Sequence, residues 1–214
     1  YFNHININVY VYINMKNLLC FGDSLTAGYN NNGKNFFPYP MTLDDLLGEE
    51  YNVDYIGISG VNIDEVLNNL DNDISDITGI CWYGLRKQLS RKNYSYLILL
   101  IGSNDLCDYN VKNVVNDIQK LTKIANSMNV KPVVLTIPKL VFEKEDIDMK
   151  DVREEINKTL INDANEYYEV IDIAKHIDMS DYETVYDSDG LHFSETGYKK
   201  IAEIIYNHMI RYPV

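Results

Sequence analysis

Five short apolar runs, separated by longer stretches with helical periodicity, set the strongest limit on the fold of this chain. The runs are rich in Val, Ile, Leu and Tyr and are bounded by polar residues, Gly or Pro, which is typical of buried strands. Strands that alternate with helices form a parallel sheet with right-handed crossovers. The sequence therefore predicts an α/β fold with a five-stranded parallel sheet. The predicted strands lie near residues 17–22, 52–58, 95–101, 132–137 and 168–173.

The stretches between the runs carry apolar residues three and four positions apart, which is the spacing of an amphipathic helix. The clearest case is residues 111–128, in which Val114, Ile118 and Leu121 fall on one stripe. The predicted helices cover residues 39–48, 63–91 with a break near Gly79, 111–129, 148–166 and 195–211.

Length and composition exclude several classes of protein. The 214 residues match one domain, and no linker divides them. The net charge of −13 argues against a nucleic-acid partner, because binding a phosphate backbone relies on clustered Lys and Arg. Three cysteines and four histidines show no metal-ligand spacing, so we expect no metal site. No Gly-x-Gly-x-x-Gly follows the first strand, which disfavours a dinucleotide site.

The beginning of the sequence bears on domain boundaries and location. Residues 1–14 alternate apolar residues with Asn and Tyr, which is a strand pattern, yet Met15 and Lys16 form a natural start for the domain. We expect residues 1–14 to be a dispensable, disordered extension and residues 15–214 to be the domain; an added edge strand is the alternative. No run is long enough to span a bilayer, and a secretory signal pattern is lacking. The number of cysteines is odd, which does not suit a framework of disulfides. Together these three observations predict a reduced, cytoplasmic protein.

Four polar segments follow the predicted strands at what should be one edge of the sheet. Residues 22–25 read Gly-Asp-Ser-Leu, residues 57–60 read Gly-Ile-Ser-Gly, and residues 102–105 read Gly-Ser-Asn-Asp. In a doubly wound sheet of order 2-1-3-4-5, strands 2 and 3 flank strand 1, so these loops open side by side at the edge where ligands bind. The long loop of residues 187–192, Asp-Ser-Asp-Gly-Leu-His, can reach back to the same edge.

These segments contain the groups that acyl transfer requires. The Ser24 hydroxyl is a weak nucleophile and needs a base, a role that His192 can fill near neutral pH. Asp189 can orient the other imidazole nitrogen, although Asp187 is a rival at two residues' distance. The main-chain N–H groups of Ser24 and Gly60 and the side-chain amide of Asn104 are candidate donors to a developing oxyanion.

Together the four segments resemble the sequence blocks of the SGNH hydrolases, also called GDSL esterases and lipases, and they occur in that family's order. The resemblance implies a flavodoxin-like three-layer α/β/α fold and hydrolysis of acyl esters without a cofactor. It implies Ser24 as nucleophile, with Asp189 and His192 completing the triad; the spacing within the family selects Asp189 over Asp187. It also places Ser24, Gly60 and Asn104 in the oxyanion hole.

Other interpretations compete with this one. Asp23 and Ser24 could simply cap a short helix, and Asn104 could bond only to its own loop. Ser59 nearly matches the Gly-x-Ser-x-Gly motif of another hydrolase class, but Val61 stands where that motif needs a second Gly. We expect a small-molecule substrate, namely a small or medium acyl ester, because no long insertion suggests a large lid. An acyl-thioesterase, a carbohydrate O-deacetylase and a non-catalytic binding module are the alternatives.

Overall fold

A computed structural model describes residues 15–108, 110–165, 167–177 and 179–211. The prediction for residues 1–14 lies outside the described residues. Within them, the strands are β1 (Lys16–Gly22), β2 (Tyr29–Asn30), β3 (Asn35–Phe36), β4 (Tyr51–Gly57), β5 (Asp73–Ser75), β6 (Cys81–Tyr83), β7 (Tyr94–Leu100), β8 (Lys131–Leu135) and β9 (Glu169–Ile171). The α-helices are α1 (Ser24–Ala27), α2 (Tyr39–Leu47), α3 (Ile63–Asn68), α4 (Leu85–Leu89), α5 (Val111–Ser127), α6 (Ile147–Asn162), α7 (Ile173–His176), α8 (Tyr182–Val185) and α9 (Glu195–Arg211).

The central sheet has the strand order β4-β1-β7-β8-β9, and its strand pairs are all parallel. This confirms the predicted five-stranded parallel sheet, and the order 2-1-3-4-5 of the five predicted strands. Strand β1 pairs with β4 along its full length, from Lys16 opposite Tyr51 to Gly22 opposite Gly57. The loops that follow β4, β1 and β7 therefore leave the sheet side by side at its carboxyl edge.

Helices cover both faces of the sheet, and the strands are apolar on both sides as a consequence. In β1, Leu19 and Phe21 contribute to the core under α3, α4, α5 and α6, whereas Leu18 and Cys20 contribute to the core under α2, α7, α8 and α9. These four side chains are fully buried. The result is the three-layer α/β/α architecture that the family resemblance implies.

The helical stretch predicted over residues 63–91, with a break near Gly79, is helical only at its two ends. Helices α3 and α4 stand at its ends, but β5 and β6 form an antiparallel hairpin between them. The turn is built by Asp76, whose Oδ1 accepts hydrogen bonds from the main-chain N–H groups of Thr78 and Ile80. Gly79 completes it at a φ of +83°, which a helix does not allow. Side-chain capture of the backbone by an Asp has here overridden a helical spacing of apolar residues.

Short elements near the carboxyl edge were also not predicted. They are α1, directly after β1, the β2–β3 hairpin, and α7 and α8 before the last loop. Elements of two to four residues carry too little periodicity to be recognised in a sequence. Among the described residues, no helix is long and apolar enough to cross a membrane.

Candidate active site

The turn after β1 places Ser24 at the carboxyl edge of the sheet. Gly22 ends the strand where a Cβ atom would lie 1.8 Å from the carbonyl oxygen of Leu100, so only glycine fits. Asp23 then caps α1, because its Oδ1 accepts the N–H of Leu25 at 2.9 Å. Ser24 is the first residue of the helix and does not act as the cap. Its hydroxyl is thus available for another partner.

That partner is His192, which arrives from the loop before α9. Its Nε2 lies 2.8 Å from Oγ of Ser24, and its Nδ1 lies 2.7 Å from Oδ2 of Asp189. The other oxygen of Asp189 accepts the main-chain N–H groups of Leu191 and His192, both at 2.9 Å. Ser24 is 6 % exposed and His192 is 8 % exposed, so their contact is largely shielded from water. The structure brings three of the predicted residues into one hydrogen-bonded series.

The rival aspartate, Asp187, faces elsewhere. Its Oδ2 accepts the main-chain N–H of Asn31 at 2.6 Å, and its Oδ1 accepts the N–H of Ser188. Its own N–H donates to the carbonyl of His192 at 2.8 Å. Asp187 therefore closes the loop and joins it to the β2–β3 hairpin.

The pKa values of two carboxyl groups at this edge are shifted in opposite directions. Burial acts to raise the pKa of Asp189, but hydrogen bonds from the side chain and main chain of His192 and from Leu191 hold it below its usual value. Burial raises the pKa of Asp23, although hydrogen bonds from Ser103 and Leu25 act in the other direction. Asp189 thus keeps its negative charge beside His192, whereas the charged form of Asp23 is disfavoured.

The loops after β4 and β7 lie against the Ser24 turn and against each other. Oγ of Ser103 donates to Oδ2 of Asp23 at 2.5 Å, and Nδ2 of Asn104 donates to the carbonyl of Val61 at 2.7 Å. Asp105 accepts the N–H of Ile63 at the start of α3. Gly60 lies in the turn that Asn104 contacts, with a φ of +83°. All the predicted oxyanion donors therefore belong to turns and loops at one edge of the sheet. The bond to Val61 uses only one of the two amide hydrogens of Asn104, so the other is left for a ligand.

Two further contacts were not foreseen, one with the ring of His192 and one with the loop that carries it. The ring of Tyr29 lies 4.5 Å from the imidazole, measured between centroids, and its carbonyl accepts the hydroxyl of Tyr198 at 2.8 Å. In the loop before His192, the carbonyl of Gly190 accepts the N–H of Val141 at 2.8 Å. Tyr29 follows the Ser24 segment closely in the sequence, but only the fold shows that it reaches the imidazole.

A parallel sheet that is covered by helices on both faces, with a serine, a histidine and an aspartate in series at its carboxyl edge, is the arrangement of an α/β/α hydrolase. Within that class, residues 20–200 match the model of the GDSL-like lipase/acylhydrolase family, and the chain belongs to this family. The resemblance inferred from the sequence blocks is thereby confirmed.

Solved structures show the same fold. A lipase/acylhydrolase from Enterococcus faecalis is similar with a TM-score of 0.66 and 21% identity, over 91% of this chain and 95% of that one. A member of the lipolytic protein G-D-S-L family from Veillonella parvula has a TM-score of 0.65 and 18% identity, over 92% and 99%. A family 3 carbohydrate esterase from Clostridium thermocellum has a TM-score of 0.64 and 23% identity, over 92% and 96%. No curated protein matches the sequence.

Proposed function

We propose that this protein is a serine-dependent acyl ester hydrolase that works through an acyl-enzyme. The observation that carries the proposal is the series of short contacts from Ser24 through His192 to Asp189, at 2.8 Å and 2.7 Å. A hydroxyl, an imidazole and a carboxylate in this order have the roles of nucleophile, base and orienting group. A binding module would have no need for the three groups in this arrangement.

In the proposed mechanism, His192 takes the proton of Ser24 while Oγ attacks the carbonyl carbon of the ester. Asp189 accepts the Nδ1–H of the imidazole, which holds the tautomer with a free Nε2 and stabilises the positive ring that forms. His192 then gives its proton to the departing alcohol. Water, activated by the same nitrogen, attacks the acyl-enzyme and releases the acid.

The oxyanion that forms during attack requires donors that are already in place. We assign this role to the main-chain N–H groups of Ser24 and Gly60 and to the amide of Asn104. Support comes from the bonds that fix these loops, from Ser103 to Asp23 and from Asn104 to Val61, since fixed donors need no reorganisation during the reaction.

The first experiment compares wild type with Ser24→Ala on p-nitrophenyl esters from acetate to long chain. Ser59→Ala is a matched control, because Ser59 is buried in the neighbouring loop and its Oγ has no hydrogen-bond partner among the described residues. We expect Ser24→Ala to lose activity and Ser59→Ala to keep it. Equal rates for Ser24→Ala and wild type would refute the assignment. A wild type that prefers acyl-CoA or acetylated sugars would instead support the thioesterase or deacetylase alternative.

Location is a separate part of the proposal. We propose a cytoplasmic, reduced protein, and the support is that Cys20, Cys81 and Cys107 are all free thiols, two of them exposed. Thiol labelling of the protein in freshly fractionated cells would test it: three reactive thiols after denaturation, in the cytosolic fraction, are expected.

A further inference from the structure

The tip of the β5–β6 hairpin presents apolar side chains to solvent beside Gly60. Ile77 is 73 % exposed and Ile80 is 45 % exposed, although both are large aliphatic residues. A Cβ atom at residue 60 would lie 2.7 Å from Cγ2 of Ile77, so this side chain rests directly on the glycine. At the edge of a reaction site, exposed apolar side chains offer a surface that an apolar part of a ligand can cover.

The hairpin tip is held rigidly in this place. The N–H of Ile77 donates to the carbonyl of Ser59, in the same turn as Gly60, at 3.2 Å. Inside the tip, Oδ1 of Asp76 accepts the hydroxyl and N–H of Thr78 and the N–H of Ile80, and Oδ2 accepts Nε1 of Trp82 at 3.1 Å. An apolar surface that is already ordered loses little entropy when a ligand covers it.

The positions of the reacting groups indicate which part of an ester would meet this surface. The leaving oxygen must lie near Nε2 of His192, which returns the proton, and the oxyanion must face the donors of Gly60 and Asn104. The acyl chain is the remaining arm of the tetrahedral carbon. His192 leads into α9 on one face of the sheet, whereas the turn of Gly60 leads into α3 on the other. An acyl chain that points away from His192 would run over the turn of Gly60, on which Ile77 rests.

We propose that Ile77, assisted by Ile80, contacts the acyl chain of the substrate and gives the enzyme its preference for apolar acyl groups longer than acetyl. The inference rests on the proposed ester hydrolysis at Ser24. It adds a specificity-determining surface from a segment outside the four sequence blocks.

The test measures kcat/KM for p-nitrophenyl acetate, butyrate, hexanoate and octanoate with wild type, Ile77→Ala and Ile80→Ala. Ile210→Ala is the matched control, since Ile210 is 53 % exposed near the end of α9. We expect the ratio of kcat/KM for octanoate to kcat/KM for acetate to fall by roughly tenfold in Ile77→Ala. This is the smaller end of the effect that a lost apolar contact has in a pocket. Ile80→Ala should give a smaller fall, Ile210→Ala none, and Ile77→Leu should restore most of the ratio.

Two further arms make the result decisive. In an alcohol series at fixed acetyl group, Ile77→Ala should change all rates in parallel; a selective loss for large alcohols would overturn the acyl assignment. A uniform loss on every acyl length would also overturn it, because it would indicate only a displaced Gly60. Binding of butyrate and octanoate, the product acids, is followed by calorimetry. Suppose that wild type hydrolyses no ester but binds octanoate more tightly than butyrate, and that Ile77→Ala binds the two acids equally. The contact with the acyl chain would then be supported, and the proposed ester hydrolysis would fail.

Discussion

The carboxylate of Asp187 is bound to the main chain of Asn31, with 2.6 Å between Oδ2 and the nitrogen. Asn31 lies in the turn of the β2–β3 hairpin, at a φ of 49°. This contact joins the loop that carries His192 to a hairpin more than 150 residues earlier in the chain. Because the carboxylate of Asp187 is engaged with Asn31, only Asp189 of the two rival aspartates contacts the imidazole of His192.

The two aspartates form a matched pair for testing the proposed triad. Asp189→Asn should lower kcat by roughly 10³-fold or more, because an amide cannot stabilise the positive imidazole and favours the wrong tautomer. Asp187→Asn should keep kcat close to wild type and lose about 1 kcal/mol of unfolding free energy, the usual value of one hydrogen bond. Rates on p-nitrophenyl butyrate and urea unfolding measure both. A larger loss of kcat in Asp187→Asn would reverse the assignment.

A pair of glycines separates backbone strain from the proposed oxyanion role. Gly60 and Gly79 have the same φ of +83°, but no described atom lies within 4 Å of a Cβ at residue 79. Alanine at either position should cost about 1–2 kcal/mol of stability through the left-handed conformation. Only Gly60→Ala should also lower kcat, by roughly tenfold to 100-fold, because the new Cβ meets Ile77 and displaces the N–H donor. Equal kcat in the two variants would exclude Gly60 from the reaction.

The sequence was sufficient to predict the layers of the fold but not the hairpin beside the site. Buried parallel strands are continuous apolar runs, and α5 has a clear stripe, so both are visible in the sequence. In the hairpin region, Val66, Leu70, Ile74 and Ile77 are spaced three and four apart, as in a helix. A hairpin forms instead of a helix because the side chain of Asp76 accepts hydrogen bonds from the main-chain N–H groups of the turn. The spacing of apolar residues carries no information about such bonds.

Five candidate site residues could be selected from the sequence because loops after neighbouring parallel strands meet at one edge. The distinction between Asp187 and Asp189 depended on the family resemblance, since both are close to His192 in the sequence. In space it depends on Asn31, a contact between distant segments. The ring of Tyr29 and the main-chain bond from Val141 to Gly190 likewise appear only in three dimensions.

The buried carboxyl of Asp23 predicts a pH dependence of stability. Its pKa is raised by burial, so the folded protein holds the proton more tightly than the unfolded chain does. The stability that this contributes is complete below about pH 3.9, the usual value for Asp, and is lost as the pH rises through the folded value. In Asp23→Asn, Oδ1 can still accept the N–H of Leu25, whereas the amide nitrogen must donate to Oγ of Ser103. Relative to this variant, wild type should therefore lose stability between pH 3.5 and pH 7.

Urea unfolding of both proteins at several pH values measures this difference, and Asp71→Asn gives a control of opposite sign. The hydrogen bond from the Arg86 side chain holds the pKa of Asp71 below its usual value. Wild type should therefore gain stability relative to Asp71→Asn as the pH rises. A constant difference between wild type and Asp23→Asn would show that Asp23 ionises in the folded protein as it does in water.

The buried ion pair of Arg153 and Glu143 supports the segment next to the Asp189–His192 loop. Their side chains are 3 % and 7 % exposed, and Nη2 of Arg153 lies 2.9 Å from Oε2 of Glu143. Glu143 also accepts the N–H of Leu140, one residue before Val141, whose N–H donates to Gly190. Loss of the pair should therefore affect both stability and the position of His192.

Arg153→Met leaves Glu143 buried without a charged partner and should cost about 3–5 kcal/mol of unfolding free energy. Glu143→Leu should cost less, because Arg153 keeps a contact with Glu154, at 3.4 Å between Nη2 and Oε1. The double variant should be more stable than either single one, because two apolar side chains leave no buried charge. As a control, Lys199→Met removes an exposed pair with Glu195 and should cost less than about 1 kcal/mol. If the double variant remains fully folded but has a lower kcat, the pair serves chiefly to hold the loop of His192. Additive losses in the double-mutant cycle would instead show that the two charges are stabilised separately.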